Sequence, residues 1–330
     1  MRKLLMVFVI LAFVMGIAMY GALSASAGEA VVLKAVSFKP QSQMMAGNLG
    51  MLMDKVKEKS KGELIIEYKG GPETMNPFGQ APAVKKGVVD MCWVPSSFYA
   101  SLMPWGEVLV ASQITAWEER ERGAYDFINE GHKKAGLFYL GRTTPSEGTG
   151  DFSILTKKET RKYADLAGQK IGSLGPIAIP IAKALGATPL VIKVTDLYTS
   201  MEQGIMDANF STLTTHSDLH LWEVAKYNIE HLFFCSPSVT IMNLNKWNGL
   251  PDHLKKLLME AQKEVEREYA PMNTKILEES AQALKKGGVE FIKFSPQDAE
   301  KYVQTIHDAF WNNIIAKNPD CAPVKKMLSK

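Results

Sequence analysis

Two short stretches of the chain share one pattern, and this repetition constrains the fold more than any other feature. "AVKKGVVDM" occupies Ala83–Met91 and "SMEQGIMDA" occupies Ser200–Ala208. In each copy a helix-forming run ends at a glycine, which tolerates the left-handed conformation that commonly terminates a helix. Two aliphatic residues then open a buried strand. Each copy therefore predicts a helix-to-strand joint, and the repetition predicts two related lobes.

The N-terminus has the pattern of an export signal. Two basic residues precede an apolar run from Leu4 to Leu23, and "ASA" at Ala25–Ala27 offers a cleavage site of small residues. We expect a signal peptide over residues 1–27 and an exported, soluble mature chain that begins at Gly28. Because the apolar run is long for a signal peptide, an uncleaved membrane anchor is the competing interpretation.

Charge and cysteine content exclude several classes of protein. The formal charge of +3 falls to +1 without the two basic residues of the leader, which argues against a nucleic-acid partner, because such partners require a basic surface. Cys92, Cys235 and Cys321 form no C-x-x-C motif, and their odd number leaves at least one thiol unpaired. We therefore expect no structural zinc and no disulfide framework. Whether Cys235 pairs with Cys321 stays open.

Strand patterns alternate with helix patterns along both halves, which predicts βαβ units and parallel sheets. The expected strands are Val31–Phe38, Leu64–Gly71, Val88–Val94, Leu137–Gly141, Gln169–Gly175, Thr188–Ile192, Ile229–Cys235, Ser238–Asn245 and Val289–Phe294. One helix is expected over Trp117–Ala135, and another begins at Pro176. A long helix runs from Pro251 to Lys286, with a kink or break at Pro271.

Sequence motifs for catalysis are missing. The chain has no Walker loop, H-E-x-x-H, G-x-S-x-G or C-x-x-C. His216 and His220 are four residues apart, with Asp218 and Glu223 nearby, and this spacing leaves a secreted metal-dependent enzyme as the alternative. Two histidines at helical spacing are more often ordinary polar residues. We therefore expect neither catalysis, nor a metal, nor a cofactor.

A longer run carries a family resemblance. "LGATPLVIKVTDLYTSMEQGIMDANF", "LWEVAKY" and "MNLNKWNGLPDHLKKLL" follow the patterns G-A-x-P, E-L-Y-x-A-L-Q-x-G-x-x-D-G, E-V-x-K-Y and N-x-x-x-W-x-x-L-P. These patterns stand at Gly186–Pro189, Asp196–Ala208, Glu223–Tyr227 and Asn243–Pro251. They resemble the extracytoplasmic solute-binding subunit of TRAP transporters, of the type called dicarboxylate-binding. The likeness extends over nearly the whole mature chain.

The resemblance implies a fold and a function. It implies an α/β, two-lobe periplasmic binding protein fold, with a ligand cleft between the lobes and a long helix spanning both. We expect lobe I to comprise 28–140 with a return segment at 237–265, and lobe II to comprise 141–236 with 266–330. The implied function is a monomeric periplasmic receptor that delivers a small solute to TRAP permease subunits. A ligand-presenting partner of a membrane sensor is a further alternative with the same fold.

The chain departs from the family where the ligand is held. The family's D-L-x-G-x-K-I-R reads "ADLAGQKIGS" here, and Gly172 occupies the position of the carboxylate-binding arginine. Ser211 replaces a ligand-binding asparagine, and Phe38 stands where a polar contact is common. Arg142 is a candidate relocated cation, with a surface role as its alternative. The expected ligand-binding residues are Phe38, Trp93, Tyr99, Arg142, Gly172, Tyr198, Asn209, Phe210 and Ser211.

These substitutions predict a less polar pocket. We expect a small organic molecule with an aromatic or branched apolar body, and a monocarboxylate is compatible with it. A C4-dicarboxylate is disfavoured, because its two charges would enter a cleft without the usual arginine. The alternative is a conventional organic acid whose carboxylate sits on Arg142 or on backbone amides near Gly175, at the start of the helix expected from Pro176.

Overall fold

The computed structural model describes residues 30–45, 47–145 and 150–329. The expected signal peptide and its cleavage site lie outside these residues. Within them the strands form two mixed sheets, in the orders β2-β1-β3-β10-β4 (sheet I) and β11-β9-β5-β8-β6-β7 (sheet II). The strands are β1 (Val31–Ser37), β2 (Leu64–Tyr68), β3 (Met91–Pro95), β4 (Leu137–Arg142), β5 (Phe152–Thr156), β6 (Lys170–Ser173), β7 (Thr188–Val191), β8 (Ala208–Thr212), β9 (Tyr227–Ile229), β10 (Ser238–Asn243) and β11 (Glu290–Ile292).

Helices cover both sheets. They are α1 (Gln41–Met45), α2 (Asn48–Lys59), α3 (Pro77–Lys85), α4 (Trp105–Val108), α5 (Ala116–Glu121), α6 (Ala124–Lys134), α7 (Ala178–Ala184), α8 (Leu197–Glu202), α9 (Leu213–Asp218), α10 (Leu244–Asn248), α11 (Asp252–Lys286), α12 (Pro296–Lys317) and α13 (Ala322–Leu328). In sheet I, α2 and α11 bury one face, and α3 and α6 pack against the other. Leu33, Val36 and Met91 of the expected strands are buried in these layers, whereas Val32 and Val88 are exposed.

The two repeated joints fold alike, as the sequence predicts. Gly87 follows α3 with φ of 74°, and Gly204 follows α8 with φ of 72°, so both occupy the left-handed region where a side chain is strained. The strand after each glycine lies beside a parallel partner, β1 in sheet I and β6 in sheet II. The glycine is therefore required by the turn in both copies.

The aspartates of the two joints make matching hydrogen bonds. The Asp90 carboxylate accepts from the Lys34 amide at 2.7 Å, and the Asp90 amide donates to the Lys34 carbonyl at 2.9 Å. Asp207 repeats both bonds with Lys170, at 2.9 and 2.8 Å. Each aspartate thus fastens its strand to the neighbouring parallel strand. The shared aspartate has a structural role in both lobes.

A further likeness between the lobes lies in the strands that these aspartates contact. Lys34 and Lys170 each precede, by three residues, a serine whose hydroxyl donates to the carbonyl two residues on. Ser37 donates to the Lys39 carbonyl at 2.9 Å, and Ser173 donates to the Gly175 carbonyl at 2.8 Å. The spacing K-x-x-S was visible in the sequence and would have strengthened the expectation of two related lobes.

The long helix joins the two sheets. α11 contains 35 residues and continues through Pro271, so the helix does not break there, and the expected ends are confirmed to within a residue. It packs against α2 and β4 on the side of sheet I and against α9 on the side of sheet II. Glu266 of α11 forms a bidentate ion pair with Arg120 of α5, at 2.6 and 3.0 Å.

Three other expectations were wrong. The helix expected over Trp117–Ala135 is two helices, because Gly123 adopts φ of 75° between α5 and α6. The strand expected over Ile229–Cys235 ends at Ile229, since the chain there crosses toward sheet I. The helix expected from Pro176 begins at Ala178 and has only seven residues.

Candidate functional site

The sheet topology places a cleft between the carboxyl ends of the parallel strands. β1, β3 and β4 end at one edge of sheet I, where the antiparallel β10 begins, and β6 and β8 end at one edge of sheet II, where the antiparallel β5 begins. The chain passes between the sheets after β4 and before β10, at these same edges. Ligands of α/β sheets bind outside such carboxyl ends. We call these two borders the cleft edges.

Hydrogen bonds tie the crossing segments to the cleft edges. The Ser96 amide, directly after β3, donates to the Pro237 carbonyl at 3.0 Å. The Asp151 amide, directly before β5, donates to the Phe234 carbonyl at 2.6 Å. Residues at the end of β3 and at the start of β5 therefore both contact the segment that leads into β10, which brings the two cleft edges together.

Sheet I presents a group of buried polar atoms that are not hydrogen-bonded. These atoms have no hydrogen-bond partner within the described ranges, although buried polar groups are nearly always paired; they are Asn48 Oδ1 and Nδ2, Gln80 Oε1, Trp93 Nε1, Ser96 Oγ and Thr240 Oγ1. Each unpaired buried group costs about 1–3 kcal/mol of stability. All of them are uncharged, so they suit neutral hydrogen-bonding groups of a ligand or of water.

Contacts place these residues near the ends of β1 and β3. Trp93 lies directly opposite Thr240 across the β3–β10 pair. Its ring covers the backbone of Gly47, where an added Cβ would lie 2.7 Å from Cη2, and Gly47 immediately precedes Asn48. The Gln80 amide donates to the Ser37 carbonyl at the end of β1, at 2.7 Å.

Aromatic rings extend from this group toward the surface. The Phe38 ring lies 5.0 Å from Trp93 and 6.3 Å from Phe98, and Phe98 stacks on Phe78 at 4.3 Å between ring centres. Phe78 is 60% exposed. Such ring pairs contribute apolar contact area and geometric preference for a planar ligand. Phe38 and Trp93 are thus brought together, as the sequence analysis expected for ligand-binding residues.

Tyr99 lies on the other face of sheet I from Trp93. Its hydroxyl is 3.1 Å from Nε2 of the buried His132, and Nδ1 of His132 lies 2.8 Å from the Ile128 carbonyl. Because a carbonyl only accepts, Nδ1 carries the proton and Nε2 accepts from Tyr99. Burial lowers the pKa of His132 to about 4, so the ring is neutral. The contacts of Tyr99 are those of a core residue.

Arg142 ends β4 and is fully buried in an ion pair. Its Nε donates to Glu119 Oε2 at 2.5 Å, and Nη2 donates to Ser112 Oγ at 2.8 Å and to the Ile114 carbonyl at 3.0 Å. Burial lowers the pKa of Arg142, but the charge of Glu119, its hydrogen bond, and the effects of Cys235 and Tyr139 together outweigh burial, and the net pKa is raised. The positive charge of Arg142 is therefore already balanced inside the protein.

Gly172 and Asn209 are register partners on β6 and β8 of sheet II. Asn209 Nδ2 donates to the Gly172 carbonyl at 3.2 Å, and Nε2 of His216 lies 3.0 Å from Asn209 Oδ1. A Cβ on Gly172 would lie 2.2 Å from Met206 Sδ, so Met206 fills the space beside this glycine. Ser211 lies opposite Ser153, whose hydroxyl is 3.4 Å from His216 Nδ1. A neutral polar network thus stands where the family resemblance placed an arginine.

The remaining expected residues lie apart from one another. Phe210, on β8, packs against Phe152 and Phe234 with ring centres 5.4 and 6.4 Å away. Tyr198 is on α8, and its hydroxyl donates to Glu223 at 2.7 Å on an exposed surface. The helix that would present amides near Gly175 begins only at Ala178 and has seven residues, about two turns, so it has no extended N-terminal anion site.

The metal alternative finds no support in the geometry. His216 is buried and hydrogen-bonded, and burial lowers its pKa to about 3, whereas His220 stacks on Trp222. Among the residues of known placement, no three His, Cys, Asp or Glu side chains are grouped to hold a metal ion.

Cys92, Cys235 and Cys321 are buried free thiols in the described chain.

Sequence reasoning missed several residues of the cleft edges. Asn48, Gln80 and Ser96 are ordinary polar residues in a helix or turn, and nothing in their local sequence marks them. Asp151 directly precedes β5, and its buried Oδ1 has no hydrogen-bond partner in the described part of the chain. The sequence "GTGDF" is typical of an exposed loop, so the burial of the Asp151 carboxyl oxygen could not be predicted from it.

Comparisons with known proteins agree with this architecture. The sequence model of the DctP family, described as bacterial extracellular solute-binding protein, family 7, matches residues 35–318. The uncharacterized protein YiiZ of Salmonella typhimurium strain LT2 is 25% identical over 293 residues, covering 87% of this chain and 89% of that relative. A solute-binding protein of Albidiferax ferrireducens is 24% identical over 280 residues, covering 81% and 80%.

A solved structure shares the fold. A TRAP periplasmic solute binding protein from Desulfovibrio salexigens, with bound orotic acid, superposes with a TM-score of 0.75 at 17% identity, covering 90% of this chain and 97% of that one. The two-lobe fold with a long spanning helix, expected from the sequence, is confirmed. In the described part of the chain, no helix has the length and apolar character needed to cross a membrane.

Proposed function

Because this chain belongs to the bacterial extracellular solute-binding protein family 7, we propose that it is the solute receptor of a TRAP-type transporter. It captures a small organic solute between its two lobes and delivers it to the permease subunits in the membrane. Closure of two lobes around a ligand is a hinge motion typical of binding proteins. A receptor of this kind requires a cleft that recognises the solute and no catalytic group.

One observation supports the site of capture most strongly. The buried atoms without hydrogen-bond partners in the described chain, on Asn48, Gln80, Trp93, Ser96 and Thr240, gather near the carboxyl edge of sheet I. A solute that forms hydrogen bonds to these atoms removes the free-energy cost of leaving them unpaired and adds the favourable free energy of the new bonds. The cleft edge where α/β sheets commonly bind ligands is therefore also the place where this protein has unused bonding capacity.

The residues of the cleft indicate the chemistry of the solute. The Arg142 charge is balanced by Glu119, and Gly172 contributes no side chain, so neither offers a free cation to a carboxylate. Phe38, Trp93 and Phe210 offer aromatic area instead. We propose a solute with an aromatic or branched apolar body and at most one carboxylate, and we propose that Arg142, like Tyr99 and Asn209, supports the cleft from behind.

The remaining parts of the proposal concern Ser211, Tyr198 and the arrangement of the chain. We propose that Ser211, near the end of β8, contacts the solute. We propose that Tyr198 does not, because its hydroxyl donates to Glu223 on an exposed surface. We propose lobe I as 28–140 with 237–265 and lobe II as 141–236 with 266–330. The mature receptor begins near Gly28 in the periplasm and acts as a monomer, with no cofactor and no enzymatic activity.

A thermal-shift screen of the exported protein tests the proposal. Aromatic acids, branched-chain acids and C4-diacids are compared at equal concentration, since a ligand that binds only the folded state raises Tm. We expect members of the first two classes to raise Tm and succinate and malate to have little effect. Tight binding of a C4-diacid would contradict the proposed solute class. Loss of binding upon metal chelation would contradict the receptor function itself.

A further inference from the structure

Asp151 lies at the cleft edge of sheet II, beside the segment that crosses toward sheet I. Its amide donates to the Phe234 carbonyl at 2.6 Å, and its carbonyl accepts from the Leu213 amide at 2.9 Å. It is thus held between the segment that leads to β10 and the end of β8, directly before β5. This is the carboxyl edge of sheet II, at the point where the chain passes between the lobes.

The carboxyl group of Asp151 is not neutralised. Its Oδ1 is buried, and within the described residues it has neither a hydrogen-bond partner nor an ion pair. By contrast, the carboxylates of Asp90 and Asp207 lie 3.9 Å from the Lys246 ammonium and 3.1 Å from the Lys158 ammonium, respectively. A buried carboxylate without a cation is costly. Burial raises the pKa of Asp151 to about 7, against the smaller opposing effect of the Ser236 and Asp151 amides.

The neighbours of Asp151 leave the acidic charge uncompensated. Phe152 follows it in the chain, and its ring lies 6.5 Å from that of Phe234. The nearby arginine, Arg142, is paired with Glu119. An ionised Asp151 therefore adds a negative charge to an apolar, aromatic surrounding. A solute carboxylate placed there would be repelled, whereas a positively charged donor would be attracted.

We propose that Asp151 binds a protonated amine of the solute, whose apolar body lies against the aromatic rings of the cleft. The inference rests on the proposed solute-receptor function and narrows its class of solute to small organic molecules that carry an ammonium group on the apolar body and, as proposed above, at most one carboxylate. The ammonium donates a hydrogen bond to Oδ1 and supplies the missing positive charge. Asp151 thereby selects a positively charged group of the solute, whereas a carboxylate-binding arginine selects a negatively charged one.

Two series of compounds that differ only in their polar group test this inference. The first is phenethylamine, phenethyl alcohol and hydrocinnamate, and the second is isoamylamine, isoamyl alcohol and isocaproate. Thermal shift and calorimetry are measured on the exported protein, on Asp151→Asn and on Asp54→Asn, a matched control whose aspartate is exposed on α2. We expect the amine to bind best in at least one series. A hydrogen bond between charged groups implies a loss of about tenfold to a hundredfold in amine affinity for Asp151→Asn, and no change for Asp54→Asn.

Each other outcome contradicts the inference and is separable from the receptor function. Binding of a carboxylate in preference to its amine would overturn the role of Asp151 and leave a solute receptor in place. Amine binding unchanged in folded Asp151→Asn would do the same. Binding of neither series, together with a negative organic-acid screen, would contradict both proposals. Circular dichroism verifies that Asp151→Asn folds, and Asp151→Ser repeats the comparison if it does not.

Discussion

Arg142 and Glu119 form an ion pair in which both side chains are almost completely buried, with Nε of the arginine 2.5 Å from Oε2 of the glutamate. Tyr139 donates to the second carboxylate oxygen at 3.0 Å. The pair joins α5 to the last residue of β4, from which the chain departs for sheet II. An arginine that the sequence suggests as a ligand contact is therefore part of the packing where the chain leaves sheet I.

The pair predicts a large loss of stability for a single substitution. Arg142→Met leaves Glu119 buried without its cation, and breaking a buried pair in this way costs about 3–5 kcal/mol. Urea unfolding measures the change. The double variant Arg142→Met, Glu119→Leu should recover most of the loss, because no charge is then buried alone. Equal loss in the single and double variants would show that the pair has another role.

The matching aspartates predict equal structural contributions in the two lobes. Asp90→Ala and Asp207→Ala each remove an acceptor from a backbone amide, of Lys34 and Lys170 respectively, and should each lower the free energy of unfolding by about 1–3 kcal/mol. Asp54→Ala, at an exposed position, should change it by less than about 0.5 kcal/mol. A substantial difference between the losses of stability in Asp90→Ala and Asp207→Ala would contradict an equivalent structural role of the two aspartates.

The repeated joint also shows how far the sequence determines the fold. The glycine after each helix predicted both turns correctly. The strands begin only after the aspartate, at Met91 and Ala208. The first aliphatic residue of each pair, Val88 or Ile205, is exposed, so the expectation that the pair opens a buried strand was wrong. The crossing segment was predicted as a strand because Phe233 and Phe234 are apolar, yet their rings are buried among other aromatic residues while the backbone lies outside the sheets. Burial was predictable there, and strand pairing was not.

The candidate site was less predictable than the fold for a physical reason. Phe38 and Trp93 were identified through the resemblance, and they are in contact. Glu119, the partner of Arg142, lies 23 residues earlier, in helix α5, and a pairing of this kind depends on tertiary packing. Asn48 and Asp151 matter because their polar atoms lack partners in the described chain, which is a property of the folded surroundings.

Because Met206 fills the space beside Gly172, we predict that a side chain added at Gly172 lowers the stability of the protein. The Cβ of Gly172→Ala would lie 2.2 Å from Met206 Sδ, and overpacking of this kind costs about 1–3 kcal/mol. Gly172→Ala should lower the urea midpoint less when it is introduced into Met206→Ala than when it is introduced into the wild type. Gly175→Ala, where no atom lies within 4 Å of the new Cβ, is the matched control. An equal effect at Gly175 would remove the steric explanation.

Asp151 predicts a distinctive dependence of stability on pH. Its pKa is 3.8 ordinarily and about 7 in the folded protein, so the folded state holds a proton that the unfolded state has released between these values. The free energy of unfolding of the wild type should therefore fall, relative to Asp151→Asn, as pH rises from about 4 to 7, and the difference should be constant above about pH 8. Urea unfolding of both proteins across this range measures it. A difference that is independent of pH would show that the carboxyl is not buried as described.

Calorimetric titration of the exported protein with the best compound from the thermal-shift screen tests the central claim most directly. The account predicts one solute bound per chain. It also predicts an affinity about twofold to tenfold weaker in Ser96→Ala and in Trp93→Phe, each of which removes one hydrogen-bonding group from the cleft edge. Ser101→Ala, at an exposed position, should bind like the wild type. Binding that is insensitive to Ser96→Ala and Trp93→Phe, or no binding of any compound, would contradict a solute site between the two lobes.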